Sequence, residues 1–404
     1  MSLNALLSRL VRCGDLTVRL PGGERLHAGD GSGPPISVAI ADLPWLARIA
    51  ADPDLALGEA YTEGGLVLEQ GSVRDLAGLI GRNAALRPGA RPGRVRRWWR
   101  DRRQQANARR AARRNVSRHY DLPVDFYRHF LDADLQYSCA YFAERGMSLE
   151  AAQAAKKAHL AAKLLLRPGV RVLDIGCGWG GLALSLARTG ARVDGVTLSR
   201  EQLGLARARA AAAGLQDRAR FSLTDYRDVA GPYDRIVSVG MFEHVGRPNY
   251  DTYFEAVRRL LAEDGVAVIH AIGRSEGPNF TQPWIAKHIF PGGYIPALSE
   301  VLPAVERSGL IATDVEILRL HYAETLKAWQ ARFQAAADEI ARVYGVRLRR
   351  QWEFYLAISE AAFRHRDHMV FQLQLARRID AVPITRDYMD RSPRSLEAVA
   401  IAAE

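Results

Sequence analysis

VRVLDIGCGWGGLALSLARTGARVDGVTLSREQ, residues 170–202, decides the fold. Residues 170–175 are apolar apart from Arg171 and Asp174 and read as a short buried strand. Glycines follow at 176, 178, 180 and 181. Leu182, Leu184, Leu186 and Ala187 then give a helical apolar face, and Val193, Gly195 and Val196 supply the next strand. The pattern is one β-α-β unit with a glycine turn at the carboxyl end of its first strand, the place where open parallel sheets bind ligands.

A tight strand-to-helix turn needs a positive φ, and a ligand approaches the backbone closely only where Cβ is absent. The helix N-terminus that follows favours a carboxylate or phosphate. Gly176, Gly178 and Gly181 satisfy the G-x-G-x-x-G spacing. Asp174, two residues before the first glycine, can meet an ammonium group. The second strand runs into Thr197, Leu198 and Ser199, with Gln202 beyond, and lacks the acid that a nicotinamide ribose calls for. Residues 174–180, DIGCGWG, resemble motif I of the class I S-adenosylmethionine-dependent methyltransferases. That resemblance implies an α/β fold with a seven-stranded, Rossmann-like domain and S-adenosylmethionine as cofactor.

With 48% hydrophobic and 25% charged residues, the 404-residue chain has material for an ordinary core and a length that suits two domains. No uninterrupted apolar stretch is long enough to span a bilayer. Arg9 interrupts the leucines of MSLNALLSRL, so export is not expected. Cys13, Cys139 and Cys177 have no metal-ligand spacing and form no disulfide framework; no metal site is expected, and a reducing cytoplasm suits the chain. The net charge of +11 is local: residues 91–118 hold twelve arginines against one acid, Asp101, which equals the excess of the whole chain. With Trp98 and Trp99 among the arginines, this segment suits an anionic membrane surface. A solvated linker and a nucleic-acid contact are the alternatives for the same composition.

Residues 1–90 read as a small α+β domain. Residues 16–20 alternate like a strand, Pro21, Gly22 and Gly23 turn the chain, and residues 26–28 return; residues 37–40 and 66–68 are further strands, and Asp42 and Ser72 are helix caps. No catalytic constellation falls there. Residues 91–118 read as an arginine-rich linker, and residues 119–404 as the catalytic domain. In the latter, residues 119–142 are dense in Tyr, Phe, His and Asp, a setting in which aromatic faces can hold a sulfonium cation. Asp225, after the third strand, is placed to meet an adenine amino group. Glu243 and His244 follow the fourth strand and His270 ends the fifth, which makes them site candidates. Residues 277–300 are apolar, aromatic and proline-rich and read as an insertion that walls a tunnel for a long apolar substrate. Residues 349–376 read as largely helical.

The motifs HYDLPVDFY, YSCAYF, VLDIGCGWGG, GVTLSREQ, MFEHVG, FPGGYIP, HYAETLKAW and MVFQLQLAR, with the strand end at His270 and Ile272, together resemble the cyclopropane-fatty-acyl-phospholipid synthases and the related mycolic acid cyclopropane synthases. The resemblance runs from about residue 119 to the end. Residues 1–90 resemble the smaller domain of the two-domain phospholipid enzymes, with a role in lipid contact or dimerisation. It implies methylene transfer from S-adenosylmethionine to the cis double bond of an unsaturated phospholipid acyl chain, with a carbocation deprotonated by bound bicarbonate. Glu243, His270 and Tyr322 would hold that ion by their side chains, and Cys139 and Ile272 by backbone groups. Tyr137, Ser138, Asp174, Gly176 and Gly178 would surround the methionine part of the cofactor, Thr197, Leu198 and Gln202 the ribose, and Asp225 and Tyr226 the adenine end. A homodimer, peripheral on the cytoplasmic face of an anionic membrane and without a nucleic-acid partner, is also implied. Leu122, Pro123 and Val124 stand where the family often has Gly or Asn, and Ala271 where Thr is usual. The rival outcomes are a methyl- or methylene-branched fatty acid and, further off, methylation of a small molecule or nucleic acid.

Overall fold

A computed structural model describes residues 3–86 and 122–390. The arginine-rich segment and residues 119–121 of the first aromatic motif lie outside the described residues. The chain divides into two compact units, the first formed from residues up to 98, Thr281–Pro291 and Ala323–His368, the second from the remainder. The first unit is thus discontinuous: part of the apolar insertion and most of the aromatic helical region fold with the N-terminal residues, whereas the sequence reading placed both in one continuous segment, 119–404.

In the first unit, β1 (Asp15–Arg19) and β2 (Arg25–Ala28) form an antiparallel hairpin, with β3 (Pro35–Ile40) parallel to β1 and β4 (Leu66–Gln70) antiparallel to β3. Leu16, Val18, Leu26 and Ala28 alternate inward, as period-two patterning requires. The two expected helix caps form. Asp42 accepts from the Trp45 N–H at 2.8 Å, and Ser72 makes a reciprocal capping box with Asp75. Helix Val346–His365 belongs to this unit and buries Trp352, Phe354 and Phe363.

The second unit carries the seven-stranded sheet expected from residues 170–202. Its strands are β5 (Arg171–Ile175), β6 (Arg192–Thr197), β7 (Ala219–Leu223), β8 (Tyr233–Val239), β9 (Leu261–Arg274), β10 (Ile311–Leu318) and β11 (His368–Ala376), in the order β10-β11-β9-β8-β5-β6-β7. The pairs β5–β6, β5–β8, β6–β7 and β8–β9 are parallel, and β10–β11 is antiparallel. The chain goes from β5 outward to β6 and β7, then returns to the other side of β5 at β8. The carboxyl ends of β5 and β8 therefore flank a topological switch point, where such sheets open a ligand crevice. The expectation of helix through residue 376 is corrected: the helix stops at His365, and residues 369–376 are a strand whose side chains are almost wholly buried between β9 and β10. Phe371, Leu373 and Leu375 alternate with Gln372 and Gln374 in the period of two that marks a strand, and all five are buried.

Candidate active site

β5 delivers Asp174 to the carboxyl edge of the sheet, 2% exposed, with Oδ2 making no hydrogen bond within the chain. Burial pushes its carboxyl up to about 7 against the opposing charge of Lys156. The glycine turn follows. Gly176 has φ +83° and its N–H donates to the Val196 carbonyl at 2.9 Å; a Cβ there would come within 2.9 Å of Met241. Gly178 has φ +54°, and a Cβ there would project into open space. Backbone strain, not a protein neighbour, thus dictates glycine at 178, and the space beside it is available to a ligand.

Around this turn the second strand end is held internally. Thr197 Oγ1 donates to Gln202 Oε1 at 2.8 Å and accepts from the Ser199 N–H at 3.1 Å, so Thr197 fixes the Gln202 carboxamide. Asp225 is buried, and both of its oxygens engage Arg227, at 2.8 Å to Nε and 2.6 Å to Nη2. An adenine amino group there would share lone pairs already facing a guanidinium. Tyr226 packs edge-on against Tyr253 at 5.3 Å between centroids, which gives this end an aromatic wall.

On the opposite side of the turn, Tyr127 joins Tyr137 (5.5 Å) and Trp179 (5.1 Å) in one aromatic cluster. Ser138 Oγ accepts a hydrogen bond from Lys156 Nζ at 2.8 Å. Cys139 is buried, with Sγ 3.3 Å from the Ala140 carbonyl. The Phe142 N–H donates to His321 Nδ1 at 2.9 Å and the Tyr141 ring stacks on His321 at 5.0 Å, so the YSCAYF segment and the residue preceding Tyr322 are in direct contact.

The second group of residues sits just beyond β8 and in the carboxyl-terminal part of β9. Glu243 lies in the short turn Phe242–His244; its Oε1 accepts from the Ile272 N–H at 2.7 Å, and its carbonyl accepts from the Tyr294 N–H at 2.9 Å. Tyr294 comes from the FPGGYIP motif, which thereby braces the turn. Glu243 Oε2 is buried without a partner, and burial pushes this carboxyl up to about 7. His270 and Ile272 are two apart on β9 and so share a face. Burial, with Lys156 and Lys163 nearby, pulls His270 down to about 3, which keeps it neutral. Gln372 Nε2 on β11 lies 3.1 Å from His270 Nδ1; as a donor there it leaves the ring proton on Nε2.

The structure thus joins Glu243 to Ile272, which lies two residues beyond His270 on the same face of β9. Lys156 acts electrostatically on Asp174, Cys139 and His270. Lys156 and Gln372 escape sequence reasoning: a lysine in an Ala- and Lys-rich helix looks solvated, and a glutamine inside MVFQLQLAR carries no chemical signature. Among the described residues there is no group of three or more His, Cys, Asp or Glu side chains that could hold a metal ion, and no helix long and apolar enough to cross a membrane.

The donor set suits a zwitterionic cofactor. An unpartnered buried carboxylate oxygen at Asp174 can accept from an ammonium, and the strained glycine at 178 leaves room beside the backbone. Comparison with known proteins agrees. Residues 107–373 match the mycolic acid cyclopropane synthetase family. The chain is 44% identical over 263 residues to the cyclopropane-fatty-acyl-phospholipid synthase of Escherichia coli K12, covering 65% of this chain and 67% of that one. It is 42% identical over 284 residues to the tuberculostearic acid methyltransferase UfaA1 of Mycobacterium tuberculosis, covering 67% of this chain and 66% of that one. Among solved structures, the mycolic acid cyclopropane synthase CmaA1 complexed with SAH and CTAB superposes with a TM-score of 0.61 at 34% identity, over 65% of this chain and 97% of that one.

Proposed function

The chain belongs to the mycolic acid cyclopropane synthetase family, and from that premise we propose that it is a cyclopropane-fatty-acyl-phospholipid synthase, transferring a methylene group from S-adenosylmethionine to the cis double bond of an unsaturated phospholipid acyl chain. The Glu243 carboxyl carries this reading. It is buried, is brought by that burial to titrate near neutral pH, is anchored on one oxygen by the Ile272 N–H, and is unpartnered on the other among the described residues.

When bound, S-adenosylmethionine supplies an electrophilic methyl group to an alkene that is a weak nucleophile. Asp174 Oδ2 would accept from its ammonium, with Tyr137, Ser138, Gly176 and Gly178 around the methionine part. Thr197, Leu198 and Gln202 would take the ribose, and Asp225 and Tyr226 the adenine end. Glu243, His270 and Tyr322 would hold a bicarbonate ion, whose chemistry there is that of a mild base. Two adjacent anions repel, so Glu243 can face the ion only by donating the proton that burial keeps on its carboxyl. His270 would donate from Nε2 while neutral. Ile272, its N–H spent on Glu243, would contribute its carbonyl, and Cys139 a backbone group. A site built from neutral donors contains no strong base that could demethylate the cofactor.

Fatty-acid mass spectrometry of phospholipids from a bacterium without a cyclopropanating enzyme, with and without this protein, tests the reading. Gain of CH₂ on monounsaturated chains, with NMR excluding a methylene branch, is the expected result. The likeness to UfaA1 supports a second reading, C-methylation to a branched chain; a methylene branch seen by NMR would select it, as would gain of CH₄, in which a hydride from a reductant of the host cell quenches the cation. Unchanged lipids from a folded protein that binds S-adenosylhomocysteine would overturn both.

Residues 91–118 would hold the protein at an anionic membrane surface on its cytoplasmic face, as a homodimer and without a nucleic-acid partner. Replacing their arginines by glutamine should weaken salt-dependent binding to anionic vesicles. Unchanged binding rejects the membrane role, and a monomeric mass in sedimentation rejects the dimer.

A further inference from the structure

Lys156 lies on helix Leu149–Lys163 and is 0% exposed. Its ammonium donates to Gln136 Oε1 at 2.6 Å and to Ser138 Oγ at 2.8 Å. One turn earlier on the same face, Gln153 Nε2 donates to the Ser138 carbonyl at 2.9 Å and the Gln136 carbonyl at 3.3 Å. From the other side, Asp132 Oδ1 accepts from the Gln136 N–H at 2.8 Å across a turn in which Leu135 is held at φ +59°. Residues 136–138 are therefore clamped from both sides, at the cost of a fully buried cation and a strained leucine. The charged and titratable groups around that cation are Asp132, Asp134, Lys157, Cys139, Asp174 and His270.

An ammonium has only hydrogens to offer, so Ser138 Oγ meets Lys156 as an acceptor, and its own hydrogen must point elsewhere. A hydroxyl whose lone pair is held by a cation is a polarised donor, suited to an anion. Asp174 Oδ2 is the complementary group, a buried acceptor with nothing among the described residues to accept from. We infer that Lys156, acting through the Ser138 hydroxyl, is the receptor for the α-carboxylate of the cofactor's amino-acid end, opposite Asp174, which takes the ammonium. The inference rests on the S-adenosylmethionine reading and extends it. One buried cation and one buried carboxyl, which a bound ammonium would hold ionised, match the two charges of a zwitterion, and the pair discriminates for the amino-acid end rather than for the nucleoside. Lys156 is a positioning residue, since the group that touches the ligand is Ser138. Burial pulls the amine down to about 8, which leaves it protonated at neutral pH.

Two ligands separate this from a purely structural clamp: S-adenosylhomocysteine, which has the amino-acid end, and 5′-methylthioadenosine, which lacks it. Calorimetric titration of the full chain should show S-adenosylhomocysteine weakened roughly 10- to 100-fold in Lys156→Met, with 5′-methylthioadenosine changed by less than about 2-fold. Ser138→Ala should lose the same preference, and the double variant should lose no more than Lys156→Met alone. If Lys156→Met fails to fold, Ser138→Ala carries the prediction by itself. Equal weakening of both ligands, or unchanged binding of S-adenosylhomocysteine, overturns the inference. A wild type that binds both ligands equally overturns it while leaving the cofactor reading intact. A wild type that binds neither overturns the cofactor reading as well.

Discussion

Glu59 and Glu243 are both 8% exposed, and their surroundings are opposite. Glu59, in the first unit, meets Lys287 at 2.6 Å, His288 at 3.0 Å and the Arg48 guanidinium. Burial pushes its carboxyl up, but the hydrogen bonds of Lys287 and His288 outweigh burial and hold it below the usual range. Glu243, in the second unit, receives the backbone N–H of Ile272 and no cation; burial wins, and the carboxyl rises to about 7. A buried glutamate surrounded by cations is a permanent anion that ties elements together. One given a single amide can hold or release a proton near neutral pH, which is what acid–base chemistry requires.

The largest effect expected of this contrast is on turnover. Glu243→Gln keeps the shape of the side chain and its acceptor for Ile272 but loses the exchangeable proton. Product formation should fall by about 10²- to 10⁴-fold, with binding of S-adenosylhomocysteine within about 2-fold of wild type because Asp174 and the glycine turn are untouched. His270→Ala should behave likewise. Product yields at the wild-type level in either variant would sink the proposed bicarbonate site. The corresponding change in the first unit, Glu59→Gln, should cost stability instead. Lys287 and Arg48 are half exposed and can be rehydrated, so the loss is about 1–3 kcal/mol rather than that of a fully buried pair. A urea midpoint no lower than wild type would show that the cluster is not a tie.

The same contrast explains what could be read from residues alone. Asp174, Gly176 and Gly178 were legible because a tight turn compresses its requirements into a few consecutive positions. Glu243 was legible as a polar residue just beyond a buried strand; His270 was read as the end of the next strand, which in fact runs on to Arg274, His270 being the last residue it pairs with β8. Lys156 and Gln372 owe their positions to packing between distant segments, 18 residues apart for Lys156 and Ser138 and 102 for Gln372 and His270. Nothing in an Ala- and Lys-rich helix announces that Lys156 and Lys163 are fully buried. Asp225 illustrates a local competitor overlooked, since Arg227 two residues on takes both carboxylate oxygens. The discontinuous first unit was illegible for a related reason: residues 281–291 and 323–368 carry no composition break where they leave one core and enter the other.

The smallest expected effect is the sharpest test of the Glu243 environment. A carboxyl that titrates near 4.5 in the unfolded chain and about 7 in the folded one binds more protons folded than unfolded between those values. Stability therefore falls as pH rises from about 4.5 to about 7, and the penalty stays in place above that. Glutamine is neutral throughout and escapes it, although its amide nitrogen is left unpaired where Oε2 was. Glu243→Gln should thus be less stable than wild type by about 1–2 kcal/mol near pH 4.5, gain about 3 kcal/mol on it through the interval, and be more stable by about 1–2 kcal/mol at pH 8. For Glu59 the sign is reversed: its depressed carboxyl contributes stability above about 4.5 that is lost as pH falls further, so Glu59→Gln should be most damaging at pH 8 and least in acid. Urea midpoints against wild type at pH 5 and pH 8 measure the slope for Glu243→Gln, and midpoints at about pH 3 and pH 5 measure the one for Glu59→Gln. A Glu243→Gln difference that does not grow with pH would mean that the carboxyl is ionised in the folded protein at neutral pH. The proton proposed for it would then have to reside on another group.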